Sequence, residues 1–279
     1  MTQQVLVLQH PNLPACALPK TAAAFRLPES RAGRPLRVPV PDGTAVSAAV
    51  AAELDAQQVD FAVLDDIPFA DIGLIASDMD STLITVECID EIAAAAGLRA
   101  QVAAVTERAM RGEIDFAQSL HSRVALLEGL PESVLETVYR DALRLSPGAE
   151  TLLDECKKHG VRFLLVSGGF TFFTDRLRTR LGIDWAHANV LESEGGRLTG
   201  RVSGGIVDAQ AKADLLEYYR SRLGLPREKT VAVGDGANDI PMLRTAGFGT
   251  AYHAKPAVRR CADLCINYNG LDALRGWFG

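Results

Sequence analysis

No stretch of this sequence offers the ~18–20 unbroken apolar residues that a membrane helix needs. Basic clusters are missing too: Lys and Arg are scattered, and the net charge is −6 at pH 7. A nucleic-acid surface relies on grouped cations, so none is expected. The amino end, MTQQVLVLQHPNLPACALPK, lacks the basic opening and the apolar length of a secretory signal, and a cytoplasmic protein is expected. The five cysteines, Cys16, Cys88, Cys156, Cys261 and Cys265, are odd in number and mostly isolated. That usage suits a reducing compartment rather than a disulfide framework. Cys261 and Cys265 share a helical spacing near His253, but two thiols are too few for a structural zinc site; they read as buried, hydrophobe-like residues. No Gly-x-Gly-x-x-Gly follows the first apolar core strand and no Walker lysine loop exists, which removes the nucleotide-binding Rossmann proteins.

What remains is a chain of 279 residues, 48% apolar and 23% charged, with room for one large α/β domain and a smaller unit. The organising stretch is Ile75-Ala76-Ser77-Asp78-Met79-Asp80-Ser81-Thr82. It closes an apolar run from Ile72 that reads as a buried central strand of a parallel sheet. Such a strand delivers Asp78 and Asp80 to the carboxyl edge, where α/β sheets bind ligands, and strand alternation lets both point the same way. Two like charges so close repel each other unless a cation or a shared proton intervenes. Magnesium, a hard cation that prefers oxygen, is the simplest solution. The rival reading is a solvated acidic turn.

Residues 1–71 read as a small α+β unit of uncertain role, with strands at Gln4–Gln9, Leu36–Val40 and Phe61–Leu64. A helix after Gly43-Thr44 carries Val46, Val50 and Leu54 on one face. Residues 72–86 and 145–279 read as a catalytic core, and 87–144 as a helical cap inserted after its first strand. The cap helices are expected at 87–96, 99–111, 115–128 and 131–143, punctuated by Gly97, Gly112 and Gly129. Ser146-Pro147 reads as a helix N-cap and N1 pair. A strand over 161–166 ends in Ser167-Gly168-Gly169 before a helix, and 189–202 reads as a hairpin around Gly195-Gly196. A helix over 211–223, a strand over 230–233 and shorter βα units complete a doubly wound parallel sheet.

Three apolar strands thus end in polar residues at one sheet edge. Ser167 with two glycines before a helix offers a hydroxyl, approachable amides and a helix N-terminus to a phosphate, although the same triplet serves as a tight turn. Gly234-Asp235-Gly236-Ala237-Asn238-Asp239 offers Asp235 and Asp239 to a metal and Asn238 as a neutral donor, more oxygen than capping needs. A lone lysine is usually a solvated charge, yet a phosphoryl group near these aspartates needs a point cation, and Lys212 can supply one.

These four motifs, in this order, resemble those of the haloacid-dehalogenase-like phosphatases. In the insert, Glu87, Phe116 and Arg123 stand where the phosphoserine phosphatases of that superfamily carry their substrate-reading residues. The likeness runs from near Ile72 to Gly270. It implies a Rossmann-like, haloacid-dehalogenase-type core and hydrolysis of O-phosphoserine to serine and phosphate, the last step of serine biosynthesis. Asp78 would attack phosphorus and become an aspartyl phosphate. Asp80 would protonate the leaving oxygen and then take a proton from water. The Asp78 carboxylate, the Asp80 carbonyl and Asp235 would hold Mg2+, with Asp239 completing or supporting them. Ser167, Gly168, Lys212 and Asn238 would hold the phosphoryl oxygens. Phe116, Leu120 and Arg123 form one helical row, and an arginine there is either snorkelling outward or clamping a substrate carboxylate. With Glu87 to accept an ammonium, the pair would read an amino acid. His121 reads as surface and Trp185 as core. The alternative within the superfamily is a phosphatase or phosphotransferase acting on another small phosphomonoester. A non-catalytic amino-acid sensor is disfavoured by the intact Asp78, Asp80, Lys212 and Asp235. A small-molecule substrate is the expected partner, and a homodimer is compatible with the sequence.

Overall fold

The computed structural model describes residues 3–279. Gln4–Gln9 (β1), Leu36–Val40 (β2) and Asp60–Asp65 (β3) form an antiparallel sheet with β1 in the middle. Helices Pro19–Ala24 (α1) and Ala48–Ala56 (α2) lie on one face, where Val50 and Leu54 of α2 pack with Leu6, Leu8 and Val38. The prolines and alanines before β2 gave no helical signal, so α1 is an addition to the sequence reading. Pro39 is tolerated because β2 is an edge strand, paired only with β1. The other face of this sheet packs its Val5, Val7, Ala62 and Leu64 with Leu274, Trp277 and Phe278 near the end of the described chain. Asp60, 1% exposed, accepts from the backbone amides of Asn267, Tyr268 and Asn269, which ties β3 to that segment.

The large sheet begins with Leu74–Ser77 (β4), buried throughout. Helices Cys88–Ala95 (α3), Arg99–Met110 (α4), Phe116–Ala125 (α5) and Ser133–Asp141 (α6) follow, within a few residues of expectation. The chain enters and leaves this helical stretch through paired backbone. Ile84 bridges Leu145, Thr85 N–H donates to Arg144 O (2.9 Å), and Ser146 N–H donates to Leu83 O (3.0 Å). Ser146 is therefore tied to the base of the insert and does not cap a helix. The next helix, Ala149–His159 (α7), starts later, behind Gly148 in a left-handed conformation (φ 80°).

Arg162–Phe170 (β5), Thr171–Leu181 (α8), Trp185–Glu194 (β6), Arg197–Ser203 (β7), Ala209–Arg222 (α9) and Thr230–Gly234 (β8) come next. Ile240–Thr245 (α10), Phe248–Tyr252 (β9), Pro256–Arg259 (α11), Leu264–Ile266 (β10) and Ala273–Gly276 (α12) close the chain. Strand order is β10-β9-β8-β4-β5-β6-β7, parallel except for the β6–β7 hairpin. Alternate residues feed two cores. Ile75, Phe163, Leu165 and Val231 face one side, while Leu74, Leu164, Val166 and Ala232 face the other, with Leu216 of α9 and Leu243 of α10. That is a doubly wound sheet.

Further expectations needed revision. The hairpin strand β6 begins at Trp185, where it pairs parallel with β5 before it meets β7 beyond Gly195-Gly196. Cys261 and Cys265 are half-buried rather than buried. His121 is exposed, and Trp185 is half-buried, stacked on Tyr219 at 4.4 Å between ring centroids. No helix among the described residues is long and apolar enough to cross a membrane.

Candidate active site

The connections that leave β4 run to β5 on one side, and β8 is its neighbour on the other. The order of the sheet thus reverses at this strand. Ligands of open α/β sheets bind in the crevice such a reversal creates. Asp78 follows β4 directly; its N–H donates to Val233 O (3.0 Å) and its Oδ1 accepts from Met79 N–H (2.7 Å).

Strand alternation does not bring Asp80 beside it, because β4 ends at Ser77. Residues Met79–Leu83 coil into a tight turn in which Ser81 adopts φ 55°. That turn swings Asp80 back into the same pocket as Asp78. Its Oδ1 accepts from Cys88 N–H (3.0 Å), and its Oδ2 lies 3.5 Å from Ser167 Oγ. Burial, then repulsion from Glu87, pushes the Asp80 carboxyl up to about 7.

Lys212, 1% exposed, comes from the first turn of α9, which Asp208 caps by accepting from Ala211 N–H (2.8 Å). Its Nζ lies 2.7 Å from both Asp78 Oδ1 and Asp239 Oδ1. Burial alone would lower the ammonium's pKa, but the two carboxylates outweigh it and hold the lysine charged. Asp239 is also fully buried, and its second oxygen accepts from Gly236 N–H (2.9 Å). Asp235 follows β8 and accepts from Thr82 Oγ1 (3.0 Å); burial and the nearby Asp239 push it up to about 6.

Oxygens of Asp78, Asp235 and Asp239 all lie within 4.8 Å of one another. The Asp80 carboxylate stands outside this trio. Three clustered carboxylates are oxygen donors of the kind a hard divalent cation takes.

Ser167, Gly168 and Gly169 lie within the carboxyl end of β5, not at the tip of the helix as the sequence suggested; α8 begins only at Thr171. The Ser167 Oγ accepts from Gly169 N–H (2.8 Å). A Cβ on Gly169 would sit 2.8 Å from Asp80 Oδ2, and one on Gly168 would sit 3.0 Å from the Phe116 ring, so both glycines admit close neighbours.

A cavity of about 110 Å³ collects these groups. Asp78, Asp80, Gly168, Asp235 and Asn238 line its floor, and Glu87, Phe116, Leu120 and Arg123 come from the inserted helices. A larger groove of about 690 Å³ lies elsewhere, between the N-terminal sheet and α12, and holds none of these residues. Arg123 makes no ion pair among the described residues; its Nε reaches only Ser119 O at 3.4 Å. Burial lowers its pKa, against the pull of Asp90, Glu87 and Asp80. Glu87 is exposed, and its Oε1 accepts from Ser81 Oγ (2.7 Å).

A profile described as haloacid dehalogenase-like hydrolase matches residues 75–244. The chain belongs to that family. A phosphoserine phosphatase of Polaromonas sp. (strain JS666) is 54% identical over 214 residues, which span 75% of this chain and 91% of the relative. The unliganded structure of a probable phosphoserine phosphatase from Vibrio cholerae superposes with TM-score 0.83 at 40% identity, over 97% of this chain and 84% of that one. A phosphoserine phosphatase solved as a phospho-aspartyl intermediate analogue gives TM-score 0.69 at 40% identity, over 74% and 99%.

Within this haloacid dehalogenase-like hydrolase, three supporting residues had escaped sequence reasoning. Thr82 orients Asp235, Asp208 starts the helix of Lys212, and buried Asn189 donates to Gly168 O at 2.8 Å. Only Asp208 carried a readable signal, a capping residue ahead of a helical pattern.

Proposed function

We propose that this protein hydrolyses O-phosphoserine to serine and phosphate. The observation that carries the reading is the half-buried, unpaired Arg123, which lines one cavity with exposed Glu87 and with Asp78, whose carboxylate Lys212 contacts. A zwitterion with a phosphate at its other end matches that distribution of charge. The phosphoserine phosphatases similar to this chain support the same substrate.

In the mechanism, Asp78 is the nucleophile. Its Oδ1 is held by Lys212 and by Met79 N–H, so its position is set before substrate arrives. Attack on phosphorus yields an aspartyl phosphate, and the relative solved as an analogue of that species supports this route. Asp80 gives its proton to the departing serine oxygen and then accepts one from the hydrolytic water. A carboxyl pushed up to about 7 is suited to both tasks near neutrality. Ser167, Gly168, Lys212 and Asn238 hold the phosphoryl oxygens. Mg2+ would be held by the Asp78 carboxylate, the Asp80 carbonyl and Asp235. Asp239, whose oxygens go to Lys212 and to Gly236 N–H, supports them. When bound, the ion supplies positive charge to the phosphoryl group. Phe116 packs beside Gly168 and, with Leu120, walls the cavity. Residues 87–144 act as the cap that selects the substrate, over a core of 72–86 and 145–279.

The test is phosphate release from phosphoserine, phosphothreonine and sugar phosphates, each with and without Mg2+. A clear preference for phosphoserine is expected, and equal turnover of a sugar phosphate would sink the amino-acid reading.

A further inference from the structure

Asn189 is a buried amide in β6, 1% exposed, which takes no part in the chemistry above. Both ends of its side chain are used, and each is joined to a different part of the phosphate grip. Its Nδ2 donates to Gly168 O at 2.8 Å. That carbonyl shares a peptide plane with Gly169 N–H, which in turn donates to Ser167 Oγ at 2.8 Å. Holding the carbonyl therefore fixes the amide, and the amide fixes the serine hydroxyl. The hydroxyl accepts from Gly169, and its own proton, which reaches only Asp80 Oδ2 at 3.5 Å, can turn to a phosphoryl oxygen.

The other end of Asn189, Oδ1, accepts from Val207 N–H at 2.8 Å. Val207 directly precedes Asp208, the cap of α9, and Lys212 stands one helical turn further on. One side chain thus hydrogen-bonds to both segments at once. One brings the hydroxyl to the phosphate; the other brings the ammonium.

We infer that Asn189 is a positioning residue that sets the distance between the Ser167 hydroxyl and the Lys212 ammonium, and through it the affinity for the phosphoryl group. Only an amide serves, because the site needs a donor toward Gly168 O and an acceptor toward Val207 N–H. An aspartate keeps the acceptor but sets a carboxylate against the Gly168 carbonyl. A leucine of similar size keeps the packing and loses both bonds.

The inference rests on the phosphoserine reading in one arm only. With p-nitrophenyl phosphate as substrate and Mg2+ present, inhibition by inorganic phosphate and by serine is measured for wild type, Asn189→Asp and Asn189→Leu. Displacement of a gripping group by about 1 Å can cost ~100-fold, and a partial shift is expected to weaken inhibition by phosphate roughly tenfold or more in both variants. Inhibition by serine, which carries no phosphoryl group, should change by less than about twofold. If serine fails to inhibit wild type, the amino-acid reading falls, while the phosphate arm still tests Asn189. Circular dichroism identifies a variant that does not fold, and the other then carries the test. Unchanged inhibition by phosphate in a folded variant would overturn the inference. So would equal weakening toward phosphate and serine, the mark of general loosening.

Discussion

Replacing Arg123 by alanine separates two explanations of a half-buried arginine. If Arg123 fastened the inserted helices, its guanidinium would have a carboxylate partner in the structure. It has none among the described residues, and its one hydrogen bond, 3.4 Å to Ser119 O, lies within its own helix. Burial lowers its pKa, and Asp90, Glu87 and Asp80 offset that cost only in part. A substrate carboxylate would offset it. A hydrogen bond to a charged group contributes about 1.5–3 kcal/mol. At ~1.4 kcal/mol per decade, Arg123→Ala should therefore lower kcat/KM on phosphoserine between about tenfold and somewhat over a hundredfold.

The assay pairs phosphoserine with p-nitrophenyl phosphate, which has no carboxylate and should lose little. Thermal unfolding of the variant should stay near wild type, since no ion pair is broken. Arg123→Lys should recover only part of the loss, because a point charge does not reproduce the bidentate fork. Equal losses on both substrates, or a large drop in melting temperature, would show that Arg123 supports the helices instead.

Asp78→Asn should keep the fold and lose nearly all turnover, because an amide is a very poor nucleophile; borohydride trapping should label Asp78 alone in wild type. Chelation should abolish turnover and Mg2+ restore it, whereas Ca2+, with its ~6–8 ligands at longer distances, should inhibit; full activity in excess EDTA would refute this. Without metal, the protein should gain stability as pH falls from about 7 toward 4. Asp80 (about 7) and Asp235 (about 6) have folded pKa values above the unfolded ones, so the folded state takes up protons first. Denaturant melts should show this slope flattened in Asp235→Asn, and an unchanged slope would remove Asp235 as its source.

What could be read in the sequence was whatever local pattern encodes. The apolar runs of β4, β5 and β8 declared a parallel sheet, and the aspartates after β4 and β8 declared where its chemistry lies. The inserted helices could be placed because Gly97, Gly112 and Gly129 punctuate them, each with positive φ. The convergence of Asp80 with Asp78 was anticipated for the wrong reason, since the tight turn at Ser81 does what strand pleating was expected to do. Ser146 misled because its N–H is used by Leu83 across the base of the insert, a contact with no local signature. Asn189 and Thr82 stayed hidden for the same reason. A polar residue in a strand looks alike whether it faces water or pins a carbonyl 21 residues away, as Asn189 does at Gly168.

An acidic chain with no basic cluster has to bind a phosphate dianion, and the arrangement around Lys212 shows how placement substitutes for number. Asp78, Asp235 and Asp239 carry three negative charges and Lys212 one positive, so the cluster stands at −3 + 1 = −2 when all are ionised. Burial magnifies that imbalance, which is why Asp235 is pushed up to about 6. A divalent cation brings the cluster to neutrality, and only then does a dianion meet no net repulsion. The same carboxylates that make the empty site hostile to phosphate thus make the loaded one receptive. In the proposed function Arg123 and Lys212 would divide the substrate between them, the guanidinium at the amino-acid end and the ammonium at the phosphoryl end. On that reading, two well-placed cations and one metal would do what a basic surface would do without discrimination.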